Sequence, residues 1–178
     1  MTRHVVLLRG INFGSHRRIA MADLRALLSG AGHADVRTHL QSGNVVLTSR
    51  ESAERVGELV HEQIRDGLGM DVPVLVRTRD EIDGVVRRNP LRDVADDFRR
   101  LQVSFLSAEL APGVVADLEA VDLGPERLAI GGRELYAWHP NGIQASPLAR
   151  MLVDRRLGVT ATARNWSTVT RLLELADS

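Results

Sequence analysis

Short apolar runs alternate with stretches of helical period along the chain, and the alternation passes through one order twice. His4 to Leu8 predicts a first strand, and Arg9 to Ile19 is a loop containing Gly and Asn. Over Ala22 to Ala31, Leu24, Leu27, Leu28 and Ala31 recur at i, i+3, i+4 and i+7, which is one helix face. Gly30 and Gly32 fit the stop of that helix. Val36 to Leu40 and Val45 to Thr48 are strand-like runs on either side of Gln41-Ser42-Gly43-Asn44, a hairpin-turn signal. A second helix begins near Ser52, turns Val56, Leu59, Val60 and Ile64 to one side, and ends at Gly67 and Gly69. Val72 to Val76 reads as a fourth strand, and Pro73 restricts it to an edge position or a strand start. Thr78-Arg79-Asp80-Glu81 has the form of a capping box, in which each end residue satisfies the other's backbone N–H. It predicts a short third helix through Ile82, Val85 and Val86, stopped before Pro90.

Leu91 to Arg100 is charged, lacks a period and reads as a linker. The order then repeats. Leu101 to Leu106 is a strand, and Pro112 opens a helix with Val114, Val115, Leu118 and Val121 inward. Leu128 to Ile130 and Leu135 to Trp138 are strands around Gly131-Gly132, a two-residue hairpin signal. On the second of these, Tyr136 and Trp138 read as core facing the helices. Ser146-Pro147 opens a helix with Leu148, Met151 and Leu152 inward. Val159 to Ala163 is the last strand, and Asn165 caps a final helix with Trp166, Val169, Leu173 and Ala176 on one face. The predicted fold class is therefore α+β: two consecutive ferredoxin-like (βαββαβ) units, each with an appended helix. The expected division is residues 1–90, a linker 91–100, and residues 101–178. The repeat lies in the order of elements; no residue-level repeat is visible.

This topology locates a candidate site. In a βαββαβ unit the first strand–helix loop and the turn between strands two and three lie at the same end of the sheet. Here they are Arg9-Gly10-Ile11-Asn12-Phe13-Gly14-Ser15 and Gln41-Ser42-Gly43-Asn44. Arg9 follows an apolar strand directly, and a partly buried guanidinium needs hydrogen-bond acceptors, from Gln41, Asn44 or an anionic ligand. Arg9, Asn12, Gln41, Ser42 and Asn44 are the candidate ligand-binding residues. A structural reading competes with this one, in which the glycines make tight turns and the polar side chains pin the two loops together. Arg164 is a secondary candidate, as a cation beside the aromatic Trp166. Against it, Asn165 suits a helix N-cap and Trp166 falls on the apolar face of the last helix, which favours packing and leaves Arg164 itself unexplained.

Composition narrows the chemistry. The 178 residues are 44% hydrophobic and 26% charged, an ordinary globular balance. The absence of cysteine excludes disulfides, thiolate metal sites and thiol nucleophiles. Basic and acidic residues number 23 each, so net charge is zero. Every basic residue is Arg and none is Lys. Those arginines are interspersed with carboxylates, which reads as GC-rich coding bias rather than as a nucleic-acid surface. Aromatics are 3% of the chain and the strands of the first half carry none, which argues against an aromatic RNA platform there. No apolar run reaches membrane length, and Val5 to Leu8 is too short for a signal-peptide core, so a cytoplasmic protein is expected.

There is no Walker A spacing, no GxGxxG opening a helix and no GxSxG elbow; Ser146 reads as a helix cap. Glu58-x-x-His61 lacks the partner copy that a di-iron bundle requires and reads as surface. The six histidines are scattered without zinc spacing. No metal, cofactor or catalytic set is therefore predicted.

Three separated motifs carry a resemblance. Leu7-Leu8-Arg9-Gly10-Ile11-Asn12-Phe13-Gly14, then Gln41-Ser42-Gly43-Asn44, then Arg164-Asn165-Trp166-Ser167-Thr168 resemble the LLRGINVGG, QSGN and RNWNT motifs of a bacterial domain-of-unknown-function family of about this length. Phe13, Ser15 and Ser167 depart from its usual residues, and Pro147 stands where the family tends to have Lys. The resemblance implies a bacterial α+β protein with ferredoxin-like parts and brings no activity, substrate or cofactor. The functional expectation is a binding module for a small anionic or nucleotide-like ligand. The alternatives are an enzyme acting on a phosphorylated or carboxylated metabolite, and an interaction module that uses its sheet edges. Oligomeric state is not readable.

Overall fold

The computed structural model describes residues 1–12 and 17–178. The chain forms two compact units: Met1–Gly84 with Arg171–Ser178, and Val85–Thr170. The first contains β1 (Thr2–Leu8), α1 (Met21–Gly30), β2 (Ala34–His39), β3 (Asn44–Ser49), α2 (Ala53–Leu68), β4 (Val74–Thr78) and the start of α3 (Arg79–Arg87). Its sheet has the order β2-β3-β1-β4, all neighbours antiparallel, which is the ferredoxin-like arrangement. The apolar periods predicted for the helices become their buried faces: Met21, Leu24 and Leu28 on α1, and Val56, Val60 and Ile64 on α2. They pack on Val6, Leu8, Val45 and Leu47 of the central strands. Ser52 caps α2 by accepting from the Arg55 N–H (3.2 Å). Gly69 closes it in the left-handed conformation.

The strand after α2 begins two residues later than its apolar run suggests. Pro73 has no N–H to give a ladder, so it precedes β4, and β4 lies at the sheet edge. The capping box is formed: the Thr78 N–H donates to Glu81 Oε2 (2.7 Å) and the Glu81 N–H to Thr78 Oγ1 (3.2 Å).

The second unit contains β5 (Leu101–Leu106), α4 (Pro112–Glu119), β6 (Arg127–Gly131), β7 (Glu134–Trp138), α5 (Pro147–Met151), α6 (Asp154–Leu157), β8 (Ala161–Asn165) and the first residues of α7 (Trp166–Asp177). Its sheet repeats the arrangement as β6-β7-β5-β8. Several details differ from the sequence expectation. The helix opened by Pro112 ends at Glu119, so Val121, expected inward, lies beyond it and is exposed. The helix opened by Ser146 is interrupted, because Val153 is extended (φ −117°, ψ 148°) and splits it into α5 and α6. The last strand runs two residues further, so Asn165 lies in the ladder opposite Gln102 and accepts from its side chain (3.0 Å). Leu135 faces the helices with Leu106, Leu118 and Leu157, so alternation turns Tyr136 and Trp138 to the opposite face of the sheet. Tyr136 is buried there, and its hydroxyl donates to the Val85 carbonyl (3.2 Å). No helix among the described residues is long and apolar enough to cross a membrane.

Candidate functional site

The first strand–helix loop and the β2–β3 turn meet at one end of the first sheet. The Leu8 N–H donates to the Gly43 carbonyl (2.8 Å) and the Arg9 N–H to the Pro73 carbonyl (3.0 Å), which carries the end of β1 between turn and edge strand. Gly43 is required here. Its φ is +77°, and a Cβ on it would lie 2.7 Å from Leu8 Cβ and 2.8 Å from Ile11 Cδ1. Asn12 fastens the loop: its Nδ2 donates to the carbonyls of Gln41 (2.5 Å) and Ile19 (3.0 Å), and its Oδ1 accepts from the Ile19 N–H (2.9 Å). Asn44 is fully buried, and its Nδ2 donates to the His39 carbonyl (2.9 Å) and Ser42 Oγ (3.0 Å). Of the five candidates, Asn12 and Asn44 therefore use their amides to hold loop and turn. Arg9 and Ser42 are half-buried, and Gln41 is exposed at the rim. Phe13, Gly14 and Ser15 of the predicted loop lie outside the described residues.

Beside this junction is a cleft of about 360 Å³ lined by Asn12, Arg18, Ile19, Ala20 and Gln41. Ala20 is the N-cap residue of α1, and among the described residues no side chain caps that helix start. The first-turn N–H groups of a helix have no intrahelical partner and carry its positive dipole end. The cleft thus joins an uncapped helix N-terminus to an arginine and an amide side chain. Asp23, in the first turn of α1, is the opposing charge.

Arg164 lies in β8, opposite Val103, and is 8% exposed. Its Nη1 donates to Thr162 Oγ1 (2.7 Å) and the Ala163 carbonyl (2.8 Å). Burial pushes its guanidinium down to about 10. The ladders explain the position. Arg77 in β4 stands opposite Val5, and Leu8 and Leu106 make matching N–H bonds to Gly43 and Arg133. Counting back from those bonds, Val5 matches Val103 and Arg77 matches Arg164. Each unit therefore carries one buried arginine at the same place, two residues before its appended helix.

A second polar cluster, which sequence spacing did not reveal, is buried in the second unit. His139 Nδ1 lies 3.0 Å from Glu126 Oε1 and 2.8 Å from Ser146 Oγ, and the Ser146 hydroxyl donates to Glu126 Oε1. The Leu148 N–H donates to Glu126 Oε2 (3.0 Å) and the Ala149 N–H to Ser146 Oγ (2.8 Å). Ser146 is thus the predicted cap of α5. Burial works to raise the Glu126 carboxyl, and the hydrogen bonds from Ser146, His139 and Leu148 outweigh it and hold the group below its ordinary value. This is not a nucleophile–base relay. Ser146 and Glu126 meet the same ring nitrogen, and Nε2 is buried with no partner among the described residues. Glu58 and His61 go separate ways: Glu58 pairs with Arg55, and His61 Nδ1 lies 2.8 Å from the Val72 carbonyl.

The family described as "Protein of unknown function (DUF1697)" matches residues 1–136. No curated protein matches the chain. Among solved structures, the conserved bacterial protein SP0830 from Streptococcus pneumoniae is similar over 98% of both chains, with a TM-score of 0.80 at 22% identity. That likeness bears on the fold.

Proposed function

Because the chain belongs to the DUF1697 family, whose members are described only as proteins of unknown function, its role has to be sought in its own residues, and we propose that the first unit is a binding module for a small anionic or nucleotide-like ligand. The observation that carries this reading is the uncapped start of α1 at a cleft that also holds Arg18 and Gln41. The dipole at the helix start and a guanidinium both favour a negative group at that place. Arg9 stands at the start of the loop whose later residues line the cleft, and the Asn12 and Asn44 amides hold that loop and the turn in place, which limits the entropy lost on binding.

Comparison of the two units supports the assignment. The connection from β1 to α1 spans residues 9–20, whereas its counterpart from β5 to α4 spans only 107–111. In the second unit Ser107 takes the place of Arg9, and Gly131, Gly132 and Glu134 take the places of Gln41, Ser42 and Asn44, by the same ladder match. A fold that closes with the shorter loop has no structural need of the longer one, and added loop length with added polar residues is where binding function concentrates.

The test is a titration of the full chain with inorganic phosphate, pyrophosphate and adenosine monophosphate, followed by amide NMR. The expected result is saturable shifts in residues 20–23 and 41–42, weakened about tenfold or more by Arg18→Ala, as for a lost charge-assisted hydrogen bond. Absence of shifts with all three probes, or shifts untouched by Arg18→Ala, overturns the reading.

A further inference from the structure

We propose that the second unit carries a separate site, a cavity walled by Asp122, Glu126 and Ser146, that takes a small organic cation: an amine on an apolar body.

The cavity measures about 390 Å³, and its wall includes Asp122, Leu123, Pro125, Glu126, Ser146 and Pro147. Leu123, Pro125 and Pro147 make it mostly apolar, and its lining contains two carboxylates and no basic residue. Among the described residues, neither carboxylate pairs with an arginine. Glu126 has His139 as its one ion-pair partner, and Asp122 accepts only from the Gly124 N–H (2.9 Å). The neighbouring cation, Arg127, is engaged with the carbonyl oxygens of Gly124 (2.9 Å) and Glu126 (2.8 Å) instead. In a chain with as many basic as acidic residues, a concavity with this charge imbalance is selective by sign: it attracts a cation and repels an anion.

Glu126 is the group that gives the site its chemistry. It is 6% exposed and reaches the cavity wall from within the protein. Its Oε1 is filled by the Ser146 hydroxyl and His139 Nδ1, but its Oε2 accepts only the Leu148 N–H. A carboxylate oxygen has two acceptor directions, so one remains on Oε2. The same three hydrogen bonds keep the carboxyl ionised despite burial. A buried ionised carboxylate with an open acceptor direction, no guanidinium partner and apolar walls is complementary to an ammonium N–H on a hydrocarbon stem. Asp122, exposed at the mouth, adds a second attraction for the same charge.

The test uses three probes with one hydrocarbon body and different heads, titrated into the full chain and followed by amide NMR: n-butylammonium, 1-butanol and butyrate. The expected result is shifts in residues 122–126 and 145–148, with butylammonium binding about tenfold more tightly than butanol and butyrate not binding. Asp122→Asn, at an exposed position, lowers the preference for butylammonium about twofold and leaves butanol binding unchanged. Glu126→Gln, where its NMR spectrum shows an intact fold, abolishes the preference. Equal binding of butanol and butylammonium means an apolar hollow without charge recognition. Binding of butyrate, no binding of any probe, or a preference that neither Asp122→Asn nor a folded Glu126→Gln lowers each overturns the proposal as well.

Discussion

Gly43 shows how much a single residue governs at the loop–turn junction. Two costs coincide on adding a methyl group: the left-handed φ and a contact of 2.7 Å with Leu8 Cβ, an atom that cannot move without its backbone. Gly10 has a similar φ of +67°, but no described residue comes within 4 Å of its absent Cβ. Gly43→Ala should therefore cost about 2–4 kcal/mol, strain plus overpacking, and Gly10→Ala about 1 kcal/mol, for the backbone alone. Urea denaturation of the two variants checks the ordering; equal losses would mean that the junction can open around a side chain. The sequence places both glycines in loops but cannot tell them apart, since the difference lies in what the first strand presents to the turn. Asn12 is similar. Its candidacy was readable from its loop, whereas its carbonyl partners at Ile19 and Gln41 depend on the path of the closed chain.

At the scale of elements, the signals that proved legible are those whose partners are close in sequence. The Thr78–Glu81 box and the Ser52 and Ser146 caps join residues three apart. The interruption between α5 and α6 was not legible, because Leu148, Met151 and Leu152 keep a helical period while the chain leaves the helix at Val153. The Glu126–His139–Ser146 cluster was not legible either, since its members come from a loop, a strand end and a helix cap with no characteristic spacing. Ser146 connects the two kinds of information, being both cap and donor to Glu126. Ser146→Ala should destabilise the protein by about 1–2 kcal/mol at neutral pH, from the lost cap and hydrogen bond. The Glu126 carboxyl sits below its ordinary 4.5 in the folded protein. Its stabilisation is thus fully present above that pH and is lost as pH falls through the lower folded value. Removing the Ser146 hydroxyl raises the folded value, so the gap between wild type and variant should narrow below pH 4.5. A stability difference constant from neutral to acid pH, measured by denaturation at each pH, would reduce Ser146 to its capping role.

For the whole molecule, element order revealed the duplication, yet the matched arginines Arg77 and Arg164 were hidden. Their neighbours differ, Val76 and Thr78 against Ala163 and Asn165, so only the ladder register brings them into correspondence. The same comparison shows where the units diverge, at the long β1–α1 loop of one and the acidic cavity of the other. Chain order and unit membership also part company at the C-terminus, where Arg171–Ser178 belongs with Met1–Gly84. The ties are specific. Arg79 Nε donates to Asp177 Oδ1 (2.6 Å), Arg37 Nη1 donates to Ser178 Oγ (2.5 Å), and Leu172 is 1% exposed. The two polar ties are exposed and contribute little each; the apolar burial of Leu172 is the larger effect. Leu172→Ala should cost about 2–4 kcal/mol, as for a large-to-small change in a core. The loss should be uneven. In native-state hydrogen exchange, amides of β1, β3 and β4 should lose protection in the variant, while those of β5, β7 and β8 keep theirs under conditions where local opening is observed. Equal loss in both sets would mean that the final helix turns stabilise the chain as one cooperative body.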